Sequence, residues 1–162
     1  MGDDAFDRLV DMLNNTMFVV TTQADGEMSG CLVGFATQAS IHPARFLAGI
    51  SKANHTCGIA ARSDFLAVHV VQRRRLDLAR LFGGETGDVV NKFDRCSWHP
   101  GPQGMPILDD AAGWFVGRTL ERIDFGDHVG YLLDPVGGEI PEPSNDLVSY
   151  NDVADLTPGH EP

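Results

Sequence analysis

The sequence is short of basic residues: 12 Lys and Arg stand against 23 Asp and Glu, for a formal net charge of -11. Proteins that grip nucleic acid draw most of their affinity from neutralising phosphates with Lys and Arg. The balance therefore argues against a nucleic-acid partner and against an anionic membrane surface. The one basic cluster, Arg73-Arg74-Arg75, is followed by Asp77. It reads first as a solvated helix entry and second as a contact to a nucleotide phosphate. Long apolar runs are missing too, so no segment is expected to span a bilayer. The first residues, Met1-Gly2-Asp3-Asp4, lack the basic start and apolar stretch of a secretion signal. Cysteine is scarce: Cys31, Cys57 and Cys96 are scattered and odd in number, with no CxxC pair. That excludes a disulfide framework and predicts reduced thiols in a cytoplasmic protein.

Common catalytic signatures are absent as well. There is no Walker-type loop and no GxGxxG run opening a helix after a strand. There is no HExxH and no His/Cys cluster at zinc spacing, so no metal site is expected. Gly-x-Ser-x-Gly does not occur, which removes the usual hydrolase elbow.

What is present suits one mostly β domain. A chain of 162 residues can bury a core, and 43% hydrophobic residues is an ordinary globular fraction. The 18 glycines and 9 prolines favour short strands and turns over long helices. Phe6, Leu9, Val10 and Leu13 recur at helical spacing, with Asp3 or Asp4 as cap and Asn14-Asn15 as stop. Residues 17–22 read as a strand. Asp25-Gly26 supplies hairpin chemistry, and a second strand runs from Met28 to Phe35. Further strands are expected over 45–50, 65–71, 114–123 and 128–133, the last two joined by a turn at Phe125-Gly126-Asp127. Short helices are expected from about Asn54 or Thr56 to Arg62 and from Leu76 to Phe82, the second stopped by Gly83-Gly84. The stretch 85–110 looks irregular, broken by Pro100, Pro102 and Pro106. Residues 1–135 are read as the domain. Residues 136–162 are read as an acidic Pro/Gly-rich tail from which Leu147, Val148 and Tyr150 can dock on the barrel or on a second subunit.

Four runs can carry chemistry. Thr37-Gln38-Ala39-Ser40 sets side-chain donors in a row after Gly34 and Ala36, which leave the backbone open to a flat ligand. Ser51-Lys52-Ala53-Asn54-His55-Thr56 combines a cation, an amide and hydroxyls ahead of a helix; it reads as a helix cap or as a phosphate cradle. His128 opens a strand after Gly126-Asp127, either as a structural residue or as a proton partner beside a redox centre. Lys92-Phe93 and Trp98 place aromatics in an irregular loop, as packing or as the cover of a flat cofactor.

Taken in order, these runs resemble the flavin reductase-like, FMN-binding split-barrel family. The match runs through Phe18-Val19-Val20-Thr21-Thr22, Asp25-Gly26, Gly30, residues 37–43 and residues 51–56. It continues through Leu78-Ala79-Arg80-Leu81-Phe82, Lys92-Phe93, Trp98, Pro106-Ile107-Leu108-Asp109 and Gly126-Asp127-His128, over roughly the first 135 residues. The resemblance implies a split β-barrel with short peripheral helices, paired as a homodimer with FMN near the subunit interface. By matching positions, Thr37, Gln38, Ala39 and Ser40 would lie along the isoalloxazine and ribityl chain. Ser51, Lys52, Asn54 and Thr56 would hold the phosphate, Trp98 would border the site, and His128 would stand near the flavin or the incoming nicotinamide. The implied activity is hydride transfer from NADH or NADPH to FMN, with FAD as an alternative acceptor and a monooxygenase as the kind of protein fed. Two other readings stand beside it: a flavin-binding module without turnover, and an oxidoreductase served by a deazaflavin. Many relatives carry an Asn-Ser-Phe-Thr-Ser type run where this chain has Gly34-Phe35-Ala36-Thr37-Gln38, so backbone N–H groups would replace side chains at Gly34 and Ala36.

Overall fold

Asp25 and Gly26 both take left-handed backbone, with φ of 55° and 82°. Two such residues in succession make the tight turn whose twist suits flanking strands, and that turn starts the sheet. The computed structural model describes residues 3–84 and 91–156. It opens with α1 (Asp3–Asp11), and Asp3 and Asp4 lie inside this helix rather than ahead of it as caps. Strands β1 (Phe18–Ala24) and β2 (Glu27–Val33) form the expected hairpin, in register from Phe18 opposite Val33 to Ala24 opposite Glu27.

The strand expected to run on to Phe35 is broken at Gly34. A new strand, β3 (Phe35–Ser40), continues from there, so the Thr37-to-Ser40 run is strand and not loop. Next come β4 (Arg45–Ser51), α2 (His55–Ala60), β5 (Phe65–Val70) and α3 (Leu76–Gly84). Within the stretch read as irregular, 85–90 lie outside the described residues, while β6 (Trp98–Pro100) and β7 (Pro106–Leu108) pair as a small hairpin. Two long strands follow, β8 (Gly113–Asp124) and β9 (His128–Glu139). Register shifts at Val116/Gly117 and Thr119/Glu121 let β9 run past Pro135, where the sequence suggested a stop. The last helix is α4 (Tyr150–Val153).

Seven strands form one antiparallel sheet in the order β2-β1-β5-β8-β9-β4-β3. Its two outer strands, β2 and β3, are joined through Gly34 alone, so the sheet must curl until its edges meet. The fold is mostly β, a split barrel with short helices attached. Inside the curl lie Val20, Val33, Ile50, Leu66, Val68, Tyr131 and Leu133, with Phe18, Phe46 and Phe115 packed against them. A second core lies under α3, where Val19, Val71, Leu78, Phe82 and Phe93 meet. β1 is thus covered on both faces, which is why it is a near-continuous β-branched run.

The C-terminal segment adds to that second core. Val148 and Val153 are buried there, Leu147 bridges to Gln72 and Ser149 to Thr16. The basic cluster holds it down: Arg73 meets Asp146 and Asp152, Arg74 meets Glu142, and Arg80 meets Asp155. Arg75 pairs with Asp77 and Asp110. All three of Arg73, Arg74 and Arg75 are therefore engaged by carboxylates, which leaves the phosphate reading of that cluster without support. Among the described residues, no helix is long and apolar enough to cross a membrane.

Candidate functional site

Strand register assembles the site. Phe35 stands opposite Gly49, and Gly49 opposite Gly130, so one row crosses β3, β4 and β9. Two residues along, Ser51 stands opposite His128. Side chains two apart on a strand share a face, so Phe35, Thr37, Ser51 and His128 all lie on the outer face of the curl. Ala36 and Phe46 belong to the inner one. The two glycines leave a notch on the outer face. A Cβ at Gly49 would come within 3.2 Å of the Phe35 Cβ, and one at Gly130 would collide with the Phe125 ring. The Phe125 ring fills the space over Gly130, and the Phe35 Cβ packs over Gly49. The Phe35 ring reaches the His128 imidazole, with centroids 4.7 Å apart and planes at 53°.

Two adjoining clefts open here. One, of about 500 Å³, is lined by Leu13, Ser51, Asn54, His128 and Tyr150 among others. The other, of about 560 Å³, is lined by Thr37, Gln38, Phe46 and Phe125. Asn15, Gly34 and Phe35 line both. The volumes are of the size that takes a drug- or cofactor-sized molecule.

His128 is mostly covered, and its Nδ1 lies 2.8 Å from Oδ1 of Asp127. That contact occupies Nδ1 and leaves Nε2 as the ring nitrogen not tied to Asp127. The same contact holds the exposed Asp127 carboxyl below its usual range. Lys52 donates from Nζ to Asp124 at 2.8 Å, and its backbone N–H donates to the Asp127 carbonyl at 2.9 Å. Asp124 is likewise held below the ordinary carboxylate range, chiefly by its hydrogen bond from Lys52. Lys52 is thus a cation on the rim whose counter-charge is an exposed side chain.

The other expected residues fall in different places. The Asn54 Oδ1 caps α2 by accepting from the Thr56 N–H at 2.9 Å, and Asn54 also lines the first cleft. The Ser51 Oγ accepts from the Ala53 N–H. Thr56 is fully buried, its hydroxyl 2.8 Å from that of Ser29. Thr37 and Gln38 line the second cleft, while Ala39 and Ser40 lie beyond it at the end of β3. Trp98 stands apart, half-buried against Phe93 with ring centroids 5.9 Å apart and lining neither cleft. Sequence reasoning assigned Asn15, Phe125 and Tyr150 other parts, as a helix stop, a turn and a docking residue, and did not single out Phe35 for the site. The alternation from Phe35 to Thr37 was the available signal for Phe35. Nothing in the sequence tells which side of the sheet that alternation faces.

The arrangement can hold a flat molecule with an anionic end: aromatic faces on one wall, hydroxyl, amide and ammonium groups at one end. Among the described residues no group of His, Cys, Asp and Glu is placed to hold a metal ion.

Comparison with known proteins agrees. The family described as "Flavin reductase like domain" matches residues 10–155. The FMN reductase (NADH) RutF 2 of Rhizobium rhizogenes is 31% identical over 133 residues, which are 82% of this chain and 74% of that protein. The reductase component of a 4-hydroxyphenylacetate 3-monooxygenase from Salmonella typhimurium is 32% identical over 69 residues, 42% of this chain and 41% of the relative. The crystal structure of a flavin reductase domain protein from Arthrobacter sp. FB24 superposes with a TM-score of 0.82 at 22% identity, covering 91% of this chain and 90% of the other.

Proposed function

The chain belongs to the flavin reductase-like domain family, and from that membership we propose that it is an FMN reductase that draws on NADH or NADPH. One observation carries the reading beyond the family. The register brings Phe35, Thr37, Ser51 and His128 to one face, around two clefts that meet at a shared wall. When bound, FMN supplies the hydride-accepting centre, and the chain's task is to bind, orient and exclude.

The residues fit that task. Ser51, Lys52 and the Asn54 amide hold the phosphate end, with Lys52 turning from Asp124 toward the ligand. Thr37 and Gln38 hydrogen-bond the polar edge of the ring system. His128, its Nδ1 held by the Asp127 carboxylate, orients the incoming nicotinamide and exchanges a proton at Nε2. No side chain acts as a nucleophile. Thr56 contributes by fixing the 51–56 turn against Ser29, and Trp98 by packing the hairpin that backs the core.

The coarser surroundings belong to the same proposal. The chain pairs as a homodimer: the apolar side of α1 is exposed at Phe6, Leu9 and Val10, with Leu13 just beyond it. Val10 and Leu13 line the first cleft, and burying this face on a second copy removes the cost of its exposure. Three free thiols fit a reducing, cytoplasmic setting. Residues 1–135, with the end of β9 to Glu139, form the flavin-binding body, and residues 140–156 act as a strap across it that brings Tyr150 to the first cleft. A monooxygenase is the natural consumer of the reduced flavin, since the matched Salmonella typhimurium protein is the reductase component of one.

Oxidation of NADH and of NADPH by the purified protein, with and without FMN, tests the reading. Turnover that requires FMN is the expected result, and the faster donor names the substrate. FMN binding with no turnover from either donor would reject the reductase.

A further inference from the structure

Phe35 is 63% exposed at the start of β3, an outer strand of the sheet. A phenylalanine left so open forfeits the burial that normally stabilises it. Its place is not loose: its backbone is paired to Gly49 and its Cβ packs over that glycine's missing side chain. The ring leans on His128. Of the three residues common to both clefts, Asn15, Gly34 and Phe35, it alone carries a ring. The hydrogen-bonding groups are divided around it, Ser51 and Asn54 on one side, Thr37 and Gln38 on the other. A ligand that reaches both sets must cross the face of Phe35. The other exposed rings at the clefts line one each, Phe125 the second and Tyr150 the first.

We propose that Phe35 is the stacking platform of the site: its ring covers one face of the flavin ring system and so determines which face stays open to the hydride donor. This rests on the FMN reading above. Aromatic rings gain from offset stacking at centroid separations of the kind already seen between Phe35 and His128. A strand residue with only two side-chain torsions is ordered at small entropic cost, which suits a platform. A polar residue at position 35 would offer the flavin a hydrogen bond but no face.

The test is a titration of FMN into flavin-free protein, followed by flavin fluorescence and visible absorption, for the parent, Phe35→Ala and Phe35→Trp. Sedimentation of all three is measured alongside. Stacking on an aromatic ring is worth enough that Phe35→Ala should raise the FMN Kd about tenfold. It should also lose most of the fluorescence quenching and the absorption shift of the bound flavin, with sedimentation unchanged. Phe35→Trp should keep the Kd within about threefold and quench at least as strongly. Because Phe35 is exposed, neither change threatens the fold. A Phe35→Ala protein that binds FMN with the parent's affinity and spectrum overturns the proposal, and so does one that differs from the parent only in sedimentation. Failure of the parent itself to bind FMN would remove the flavin reading, and the platform with it.

Discussion

His69 and Lys92, in the packed region around α3 and the small hairpin, and His128 and Lys52, at the open β4–β9 end of the sheet, are the same two residue types under opposite conditions. His69 is fully buried between two strands and the small hairpin. Its Nδ1 is 2.9 Å from the Val19 carbonyl, and its Nε2 accepts from the Leu108 N–H at 3.1 Å. Lys92 is buried as well, donating to the carbonyls of Gly30 at 3.2 Å and Phe82 at 3.0 Å. These partners are backbone atoms, fixed by β1, β2, β7 and the end of α3. His128 and Lys52 face Asp127 and Asp124, which are exposed side chains able to swing away. A group tied to backbone holds the fold in one place. A group tied to an exposed carboxylate can exchange that partner for a ligand at little cost.

The largest effect should come from the sealed side. Lys92→Ala removes the donor from two buried carbonyls and opens a gap beside Phe82, at a cost of about 4 kcal/mol. Urea unfolding of the flavin-free protein measures it, and a loss below about 1 kcal/mol would mean the buried lysine is no more structural than Lys52. His69 sharpens the same point through pH. Burial lowers its pKa from 6.5 to about 4. Between those values the unfolded chain binds a proton that the folded chain does not, so stability falls as pH drops from about 6.5 to about 4 and levels off below. The loss should approach about 3 kcal/mol. The carboxyls of Asp77, Asp152 and Asp155 are held below their ordinary value of 3.8 by hydrogen bonds to Arg75, Ser149 and Arg80, so their contribution is lost below this window. Unfolding curves across pH 7 to 4 that keep one midpoint would show that His69 is not sealed.

The two sides differed just as much in how far they could be read in advance. The β1–β2 hairpin was legible because Asp-Gly states its own backbone, and the buried β5 because its run is apolar but for His69. The break at Gly34 was not, because the residues on both sides read as strand and only closure of the curl demands a crossing there. Phe35 looks like core by hydropathy. It is exposed because its register against Gly49 turns it outward, and pairing is a long-range fact. The donors of 51–56 were recognised as a group. Their division between a buried hydroxyl at Thr56, a cap at Asn54 and a rim cation at Lys52 depends on where Ser29 and Asp124 come to lie. Val148 was read as able to dock on the barrel, but Val153 stands in an acidic stretch that suggested solvent. Arg73 and Arg80, some seventy positions away, neutralise that stretch and let the two valines into the core.

On the open side the effects should be smaller and fall on ligands rather than on folding. Lys52→Ala should weaken FMN binding by roughly tenfold, the worth of one charge-assisted contact. Its urea midpoint should stay at the parent's, in contrast to Lys92→Ala. His128→Ala should slow flavin reduction by about tenfold in rapid-mixing measurements while changing the FMN Kd less than that. An unchanged rate would return His128 to the same structural standing as His69.

The smallest effect is the most pointed. If Lys52 trades Asp124 for the ligand's phosphate, then removing its protein partner should help binding. Asp124→Asn keeps the shape of the side chain, which also accepts from the Gly126 N–H through Oδ1, but removes the competing charge. Binding of FMN should then tighten by roughly threefold at low ionic strength, and the gain should shrink as salt screens the exposed pair. In the Lys52→Ala background the same change should do nothing, since the charge it frees is gone. A tightening that survives without Lys52 would trace to the general negative field of a chain carrying a net charge of -11. Weaker binding in Asp124→Asn would mean that the ion pair positions Lys52 instead of competing for it, and the open side would then be built on fixed partners like the sealed one.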